Sequence, residues 1–538
     1  MFHEKLLLII SLLFAVSMLV MLGQKLKISY PIFLVIGGLL ISLIPEMPMI
    51  QLDPQLVFTI FLPPILYEAA WYTSWNSFWK FRRPIGLLAF GLVFFTSCIV
   101  AFVSNALIPG FTLALGFLLG GIISPPDAVA ATSVLKGIKM PKRIITILEG
   151  ESLINDASSL IVFRFALAAV ITGHFVVEEA ISDFFIVGIM GIVVGLAIAH
   201  VLYVIHRFFP TNSNIDTALT LMSPYIMFIA AEHFEFSGVL AVVSGGLFLS
   251  YRSHEILDHS SRIQTQNVWA TIIFILNGLI FILIGLELPV IIHGLNGYSL
   301  EEGIKYGIII SIITILIRFV WVYPAAFLPR FFFKKIREKE PNPGWKGPFI
   351  IGMAGMRGVV SLASALAIPL TLSNGQDFPQ RNIILLITFV VILITLVIQG
   401  LALPIVIKSL KVEEIDDLIP EEEQSTSIKL RLMKAALTYM ERNLSEDITQ
   451  NELVENLQKR LKNGIALTSE RLESLVCDDT EHNEIARFHE IRLELIAAQR
   501  KELALLKKQK VYDYEVLQKE QSQLDFDETK IHQSIFRE

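Results

Sequence analysis

The sequence is poor in charge and in cysteine, and each scarcity excludes a class of protein. Only 17% of the 538 residues are charged and 54% are hydrophobic, whereas a soluble globular protein carries about 25% charged residues. The two cysteines are Cys98, in an apolar segment, and Cys477, in a polar one, so we expect neither a disulfide nor a metal cluster. No GxxxxGK[ST] phosphate loop is present, which argues against an ATP-driven pump. The composition therefore predicts a membrane protein that uses no nucleotide.

The charged residues are unevenly distributed along the chain. Roughly one residue in nine is charged up to Leu410, while more than a third are charged beyond it, with acids in excess. We therefore predict a membrane domain over residues 1–410 and a cytoplasmic, acidic tail over residues 411–538. In the tail, leucine spacing over residues 428–461 and a proline-free stretch over 485–517 predict helices, either paired as a coiled coil or folded back as a short bundle.

Thirteen apolar segments approach the length of about 20 residues that a helix needs to cross the ~30 Å hydrocarbon core. They begin near residues 4, 29, 53, 85, 111, 143, 180, 215, 237, 268, 304, 347 and 382. Lysine and arginine concentrate in alternate connections, for example at Lys25, at Arg82 and Arg83, at Lys142 and in the run 330–339. By the positive-inside rule, this asymmetry places the N-terminus outside and the tail in the cytoplasm, in the cell (plasma) membrane.

Two of these spans are interrupted. The fifth contains Pro125 and Pro126, which remove two backbone donors, and the twelfth has glycines on either side of Arg357. Because the two spans are seven apart, a repeat of spans 1–6 in spans 8–13 would be inverted in the membrane. Interrupted helices at matching positions of inverted repeats indicate a transporter binding site. We predict an all-α polytopic membrane protein with about thirteen transmembrane helices in two inverted six-helix repeats.

Several ionisable residues lie inside apolar spans, where they are costly and usually mark an ion or proton pathway. The acids among them are Glu68, Asp127, Glu149, Glu151 and Asp156. In span six, Ser152, Asp156 and Ser159 share one helical face, and Glu151 and Asn155 lie on the neighbouring face. A carboxylate beside hydroxyl oxygens suits a hard cation, so we predict Asp156 and Ser152 as Na⁺ ligands.

Arg357 in span twelve stays charged and needs an acidic partner inside the membrane. Glu151 is the leading candidate, and this pair would leave Asp156 free to titrate. We therefore predict Glu151 and Arg357 as a structural ion pair. Arg318 and Glu232 are expected to have structural roles.

Five motifs resemble the sodium/proton exchangers of the cation/proton antiporter-1 type. They are Glu-Ser-Leu-Ile-Asn-Asp (151–156), Gly-Met-Arg-Gly (355–358), Phe-Leu-Pro-Pro-Ile-Leu-Tyr-Glu (61–68), Ser-Gly-Val-Leu-Ala-Val-Val (237–243) and Ile-Arg-Phe-Val-Trp-Val-Tyr-Pro (317–324). The resemblance covers roughly residues 5–410 and implies that Asp156 carries the ion and the proton beside Asn155. It also implies that Ser152 and Glu68 coordinate the ion, that Glu151 pairs with Arg357, and that the protein is a homodimer.

One departure from the family concerns span five. Members of the family commonly have Thr-Asp-Pro where this chain has Ser124-Pro125-Pro126-Asp127. The acid has moved past the prolines, so whether Asp127, or only oxygens near Ser124, face the ion path is left open. The Asn155–Asp156 pair resembles that of electroneutral exchangers, which implies one-for-one exchange.

The expected function is exchange of Na⁺, or also Li⁺, for protons by alternating access, which serves sodium transport and pH homeostasis. Its substrates would be the cation and protons, with no cofactor, no nucleic-acid partner and no enzymatic activity. K⁺/H⁺ exchange on the same fold and a channel or ion sensor remain alternatives. An intramembrane aspartyl protease using Asp127 and Asp156 is a distant one, since the Gly-x-Gly-Asp signature is missing and Arg357 would have no role there.

Overall fold

The computed structural model describes residues 2–26, 29–44, 54–135, 138, 140–173, 177–295, 297–372, 375–412, 421–477, 482–509 and 514–535. Among these residues the only paired extended backbone is the isolated bridge between Thr371 and Asp377. The chain divides into two compact units, Met1–Asp416 and Asp417–Glu538. This division falls close to the change in composition at residue 410. Residues 413–420, near the start of the predicted tail, lie outside the described residues.

Each of the thirteen apolar segments coincides with a helix or with two half-helices, which we number α1 to α13. They are α1 (Phe2–Leu26), α2 (Tyr30–Ser42), α3 (Pro54–Tyr72), α4 (Arg82–Leu107), α5a (Leu113–Ile123), α5b (Ala128–Leu135), α6 (Lys142–Thr172), α7 (Val177–Phe208), α8 (Ser213–His233), α9 (Gly238–Tyr251), α10 (His259–Leu286), α11 (Leu300–Phe332), α12a (Lys346–Met353), α12b (Val359–Leu366) and α13 (Arg381–Leu410). Short helices in the connections are Trp75–Lys80, Ser253–Ile256, Leu288–His293 and Lys334–Lys339.

The described part of the chain contains eight segments that are long and apolar enough to cross a membrane, and α2 and α9 are shorter apolar helices. The prediction of an all-α polytopic membrane protein is thereby confirmed. Both predicted interruptions are present, between α5a and α5b and between α12a and α12b. The inverted relation of the two halves stays a prediction. Two π turns that the sequence did not indicate lie inside α4 (Leu87–Leu92) and α13 (Thr395–Gln399).

Small residues let several of these helices approach closely, as is usual in membranes, where packing rather than hydrophobicity holds helices together. A Cβ atom on Gly116 or Gly120 of α5a would lie 2.6 or 2.7 Å from backbone atoms of α4. A Cβ atom on Gly121 would lie 2.9 Å from the Phe163 nitrogen of α6. These glycines therefore fix α5a tightly between α4 and α6.

Two clusters of buried apolar residues lie on different sides of α6. The larger draws mainly on α1, α2, α4, α5, α6 and α10 to α13, with Ile65 of α3. The smaller draws mainly on α3, α7, α8 and α9, and α6 joins it through Leu153, Ala157 and Leu160. Asp156 is thus carried by a helix that contributes residues to both clusters.

The second unit consists of helices that pack in sequential pairs. Helix α14 (Glu421–Asn443) packs against α15 (Glu452–Cys477), and α16 (His482–Gln509) packs against α17 (Tyr514–Ile535). A short helix, Ser445–Gln450, connects the first pair. Arg500 forms ion pairs with Asp525 and Glu528 across the second pair. Of the two arrangements that the sequence left open, the structure has the folded-back one.

Candidate ion-binding site

Helices α3, α5b, α6, α10 and α12b surround a polar cavity of about 1270 Å³, counting its open mouth. We call it the central cavity. Its polar lining consists of Tyr30, Glu68, Tyr72, Thr73, Asp127, Thr132, Glu149, Ser152, Asp156, Asn277 and Ser361. The structure thus brings together four of the predicted site residues, Glu68, Asp127, Ser152 and Asp156. The other four, Ser124, Glu151, Asn155 and Arg357, are buried and do not line the cavity.

Asp156 lies on the α6 wall of the central cavity and is only 6% exposed. No described residue donates a hydrogen bond to its carboxylate, although its backbone oxygen accepts one from Ser159. Ser152 lies one turn earlier on α6, and its Oγ accepts a hydrogen bond of 3.2 Å from the Ala128 nitrogen. A buried carboxylate without internal donors needs a proton or a cation to offset its loss of hydration.

Asp127 lies where the two interrupted spans cross. Its Oδ1 accepts from the Ala130 nitrogen and its Oδ2 from the Val359 nitrogen, both at 3.2 Å. The Asp127 nitrogen donates to the Met356 oxygen at 2.7 Å. One carboxylate therefore caps the N-termini of both α5b and α12b, where helix dipoles favour negative charge. A Cβ atom on Gly358 would overlap Asp127 Oδ2, so only glycine fits beside this cap.

Arg357 lies at the same crossing of the two interrupted spans, beside the ends of the first half-helices. Its guanidinium donates to the Ile123 oxygen at 2.8 Å, to the Ser124 oxygen at 3.3 Å and to the Gly355 oxygen. These carbonyls lie at or just beyond the ends of α5a and α12a, where the interruption of each span removes the helical donors. Arg357 therefore neutralises the C-terminal ends of the first half-helices, as Asp127 neutralises the N-terminal ends of the second ones.

The predicted ion pair between Glu151 and Arg357 is wrong. Glu151 instead accepts two hydrogen bonds from Arg318 of α11, at 2.6 and 2.8 Å, and both residues are 1% exposed. Arg318 also donates to the Ile351 oxygen of α12a at 2.9 Å. The donors of Arg357 are already used by the carbonyls of the crossing, so Glu151 takes the arginine that faces it from α11.

Two further predicted residues act on the backbone of the broken span. Asn155 donates from its amide to the Pro126 oxygen at 3.2 Å, which ties α6 to the interruption. The Ser124 hydroxyl donates to the Gly121 oxygen at 3.3 Å, within its own helix. Neither side chain therefore faces the central cavity.

Asn277 of α10 and Ser361 of α12b line the central cavity but were not predicted from the sequence. Among the described residues, neither the Asn277 Oδ1 nor the Ser361 Oγ has a hydrogen-bond partner, although both are buried. The signal that marks Asn277 in the sequence is a lone amide within the apolar stretch 268–286. Ser361 has a weaker signal, because serine is common in membrane helices.

A second cavity of about 1410 Å³, counting its open mouth, lies further along α6. It is lined by Leu160, Arg164 and Glu232, among others, and not by Asp156. Arg164 of α6 forms an ion pair with Glu232 of α8. The other carboxylate oxygen of Glu232 accepts a hydrogen bond from the Gly238 nitrogen at the start of α9, at 3.1 Å. This pair connects the helix that carries Asp156 to the smaller apolar cluster.

Comparisons with known proteins agree with this geometry. The profile of a family described as sodium/hydrogen exchanger, transmembrane, matches residues 9–409. A sodium, potassium, lithium and rubidium/H⁺ antiporter of Bacillus pumilus is 31% identical over 81% of this chain and 66% of its own length. An uncharacterized Na⁺/H⁺ exchanger of Mycobacterium tuberculosis is 29% identical over 97% of this chain and 95% of its own.

The fold also matches a solved structure. A sodium proton antiporter of Methanocaldococcus jannaschii superimposes with a TM-score of 0.61 at 19% identity, covering 77% of this chain and all of that chain. At this identity the likeness supports the fold alone. Because the family profile covers most of the chain, we conclude that the chain belongs to the sodium/hydrogen exchanger family, whose members are membrane transporters and not enzymes.

Proposed function

We propose that this protein exchanges Na⁺ for protons and that both compete for the Asp156 carboxylate. The observation that carries the proposal is the buried Asp156 side chain, which faces a polar cavity and accepts no hydrogen bond from any described residue. A proton would neutralise this carboxylate, and a bare Na⁺ would do the same with oxygen ligands. Ser152 and Glu68 supply further oxygens on the cavity wall.

The stoichiometry that we propose is one cation for one proton. Asn155 has no titrating group, Glu151 is held by Arg318, and Asp127 caps two helices. Asp156 is then the single carboxylate whose occupancy changes during the cycle, so no net charge crosses the membrane. Glu68 and Glu149 also line the central cavity, and they are the residues to suspect if charge does move.

Alternating access would come from a shift of α6 between the two apolar clusters. The central cavity is lined by Tyr72 and Thr73 at the end of α3, which leads to the basic residues Arg82 and Arg83, and by Glu149 in the first half of α6. The Arg164–Glu232 pair lies about two helical turns beyond Asp156, on the other side. Under the positive-inside rule the open side is the cytoplasm. We propose that the N-terminus is outside and the tail inside in the plasma membrane, and that the protein is a homodimer, which light scattering of the purified protein would test.

K⁺/H⁺ exchange is the second candidate function. The Bacillus pumilus relative is named for sodium, potassium, lithium and rubidium, which favours a site that accepts several monovalent cations. Cation radii differ by fractions of an ångström, so the residue types of the central cavity do not separate these substrates.

The proposal is tested in proteoliposomes that contain a pH-sensitive dye. Na⁺, Li⁺ and K⁺ gradients are applied in turn, and proton flux is compared for wild type, Asp156→Asn and Glu301→Gln. Glu301 is an exposed acid at the start of α11, so its variant controls for general loss of charge. We expect Na⁺-driven flux in wild type and Glu301→Gln and none in Asp156→Asn. Flux in folded Asp156→Asn protein would remove Asp156 from the carrier role.

A further inference from the structure

A pocket that the proposed exchange does not use lies between the basic ends of α4, α6, α11 and α12a. We call it the arginine pocket, because Arg83, Arg143 and Arg330 line it together with a single acid, Glu340. It encloses about 750 Å³, counting its open mouth. We propose that it binds the headgroup of an anionic phospholipid from the bilayer leaflet at this end of the helices.

The charges of the arginine pocket favour an anion. Arg83 and Arg330 face a single carboxylate, that of Glu340, among the lining residues. Arg83 Nη2 donates to Glu340 Oε2 at 2.5 Å, while its Nε and Nη1 are buried without a hydrogen-bond partner among the described residues. Buried guanidinium donors without a partner are costly, and a phosphate oxygen accepts a strong, charge-assisted hydrogen bond from such a donor.

The other two arginines are held so that their charge stays at the pocket. Arg330 donates to the Glu340 and Pro341 oxygens, the latter at 2.9 Å. The Arg143 guanidinium lies 5.5 Å from the centre of the Phe81 ring. Arg330 therefore presents positive charge from a fixed position, which lowers the entropic cost of binding an anion.

The rest of the pocket wall is apolar and fits acyl chains instead of a soluble anion. Leu88 of α4, Ile144 and Ile147 of α6 and Val322 of α11 form much of it. Arg330 is followed by Phe331 and Phe332, which are 78% and 69% exposed. Trp345, between the lining residues Pro343 and Gly347, is 55% exposed, and an exposed tryptophan at the end of a membrane helix marks the level of the headgroups. Basic pockets at this level, on the positively charged side, bind anionic lipid headgroups.

A bound lipid would brace the helices that hold the site. Ile147 lies one turn before Glu151, and Ile351, which also lines the pocket, accepts a hydrogen bond from Arg318. The lipid would therefore contact the α6, α11 and α12a segments that the Glu151–Arg318 pair connects. We expect it to stabilise this part of the protein against thermal unfolding.

The test uses the full chain, purified in detergent and depleted of lipid. Phosphatidylglycerol, phosphatidylcholine and free glycerol phosphate are added separately, and lipid adducts are counted by native mass spectrometry while melting is followed by tryptophan fluorescence. We expect phosphatidylglycerol to raise the melting temperature and to remain bound. Arg83→Gln should weaken its binding about tenfold, as expected for one charge-assisted hydrogen bond.

Arg337→Gln is the matched control, because Arg337 is an exposed arginine near the pocket that does not line it. Its binding of phosphatidylglycerol should be unchanged. If Arg83→Gln does not fold, Arg83→Lys keeps the charge and should weaken binding to an intermediate extent. Three results would each overturn the proposal. They are an equal loss of phosphatidylglycerol binding in Arg337→Gln, an equal rise in melting temperature with phosphatidylcholine, and an equal rise with glycerol phosphate. A further control changes Glu413 and Glu414 to glutamine. If this variant melts at a lower temperature than wild type and added lipid has no effect on either protein, the pocket binds the chain's own acidic segment and the proposal is wrong.

Discussion

The buried pair of Glu151 and Arg318 allows a quantitative prediction. Glu151→Gln leaves Arg318 charged, 1% exposed and without its carboxylate. Removal of one member of a buried pair costs roughly 3–5 kcal/mol, because the other charge remains desolvated. We expect Arg318→Gln to cost a similar amount, since it strands the Glu151 carboxylate.

The double variant should lose much less than the sum of the single losses. With both charges removed no buried charge is stranded, and contacting residues show coupling energies of about 0.5–3 kcal/mol. For the geometry here, with two hydrogen bonds at 2.6 and 2.8 Å, we expect the upper part of that range. At about 2 °C per kcal/mol, each single variant should melt about 6–10 °C below wild type.

Tryptophan fluorescence of the purified variants measures these melting temperatures. A second double-mutant cycle, of Glu151→Gln with Arg357→Gln, serves as the control. Arg357 donates to backbone carbonyls and not to Glu151. The coupling in this cycle should be much smaller. Additive losses for Glu151 and Arg318, together with strong coupling between Glu151 and Arg357, would refute the pairing derived from the structure.

Three further predictions concern transport and the helix crossing. Exchange driven by a Na⁺ gradient should be indifferent to an imposed membrane potential of either sign, whereas a rate that follows the potential would show net charge movement. Gly358→Ala should cost roughly 1–3 kcal/mol of stability by overlap with Asp127, while Gly347→Ala, whose Cβ would meet open space, should melt like wild type. If the Arg164–Glu232 ion pair closes the outer side of the ion path, Arg164→Gln should speed the labelling of Ile161→Cys by an impermeant thiol reagent added outside. Unchanged labelling would mean that this pair does not close the path.

Much of the architecture could be predicted because it depends on local sequence. Apolar runs predict helices wherever the span is long enough. Adjacent prolines interrupt span five at Pro125 and Pro126, whereas Pro63 and Pro64 lie inside the continuous helix α3, so proline alone does not decide where a helix breaks. Helical spacing placed Ser152 and Asp156 on one face, and both line the central cavity. Asp127 directly precedes Ala128, the first residue of α5b, so its capping of that half-helix was readable as an N-cap signal.

The partner of Glu151 was not predictable from the sequence. Arg318 and Arg357 both lie in apolar spans, and the choice between them depends on which helix faces α6 at the depth of Glu151. That choice follows from the crossing of the two interrupted spans, where Arg357 is bound by carbonyls from α5a and α12. The second capping contact of Asp127, to Val359, also depends on this crossing.

The central claim is that one carboxylate binds either a proton or a cation, and proton release on Na⁺ binding tests it most directly. Calorimetric titration of the purified protein with Na⁺, in buffers of different ionisation enthalpy, gives the number of protons released per ion bound. At a pH where the site is protonated, the account predicts about one proton per Na⁺ in wild type, and neither binding nor release in Asp156→Asn. Na⁺ binding without proton release in wild type, or release that persists in Asp156→Asn, would contradict it.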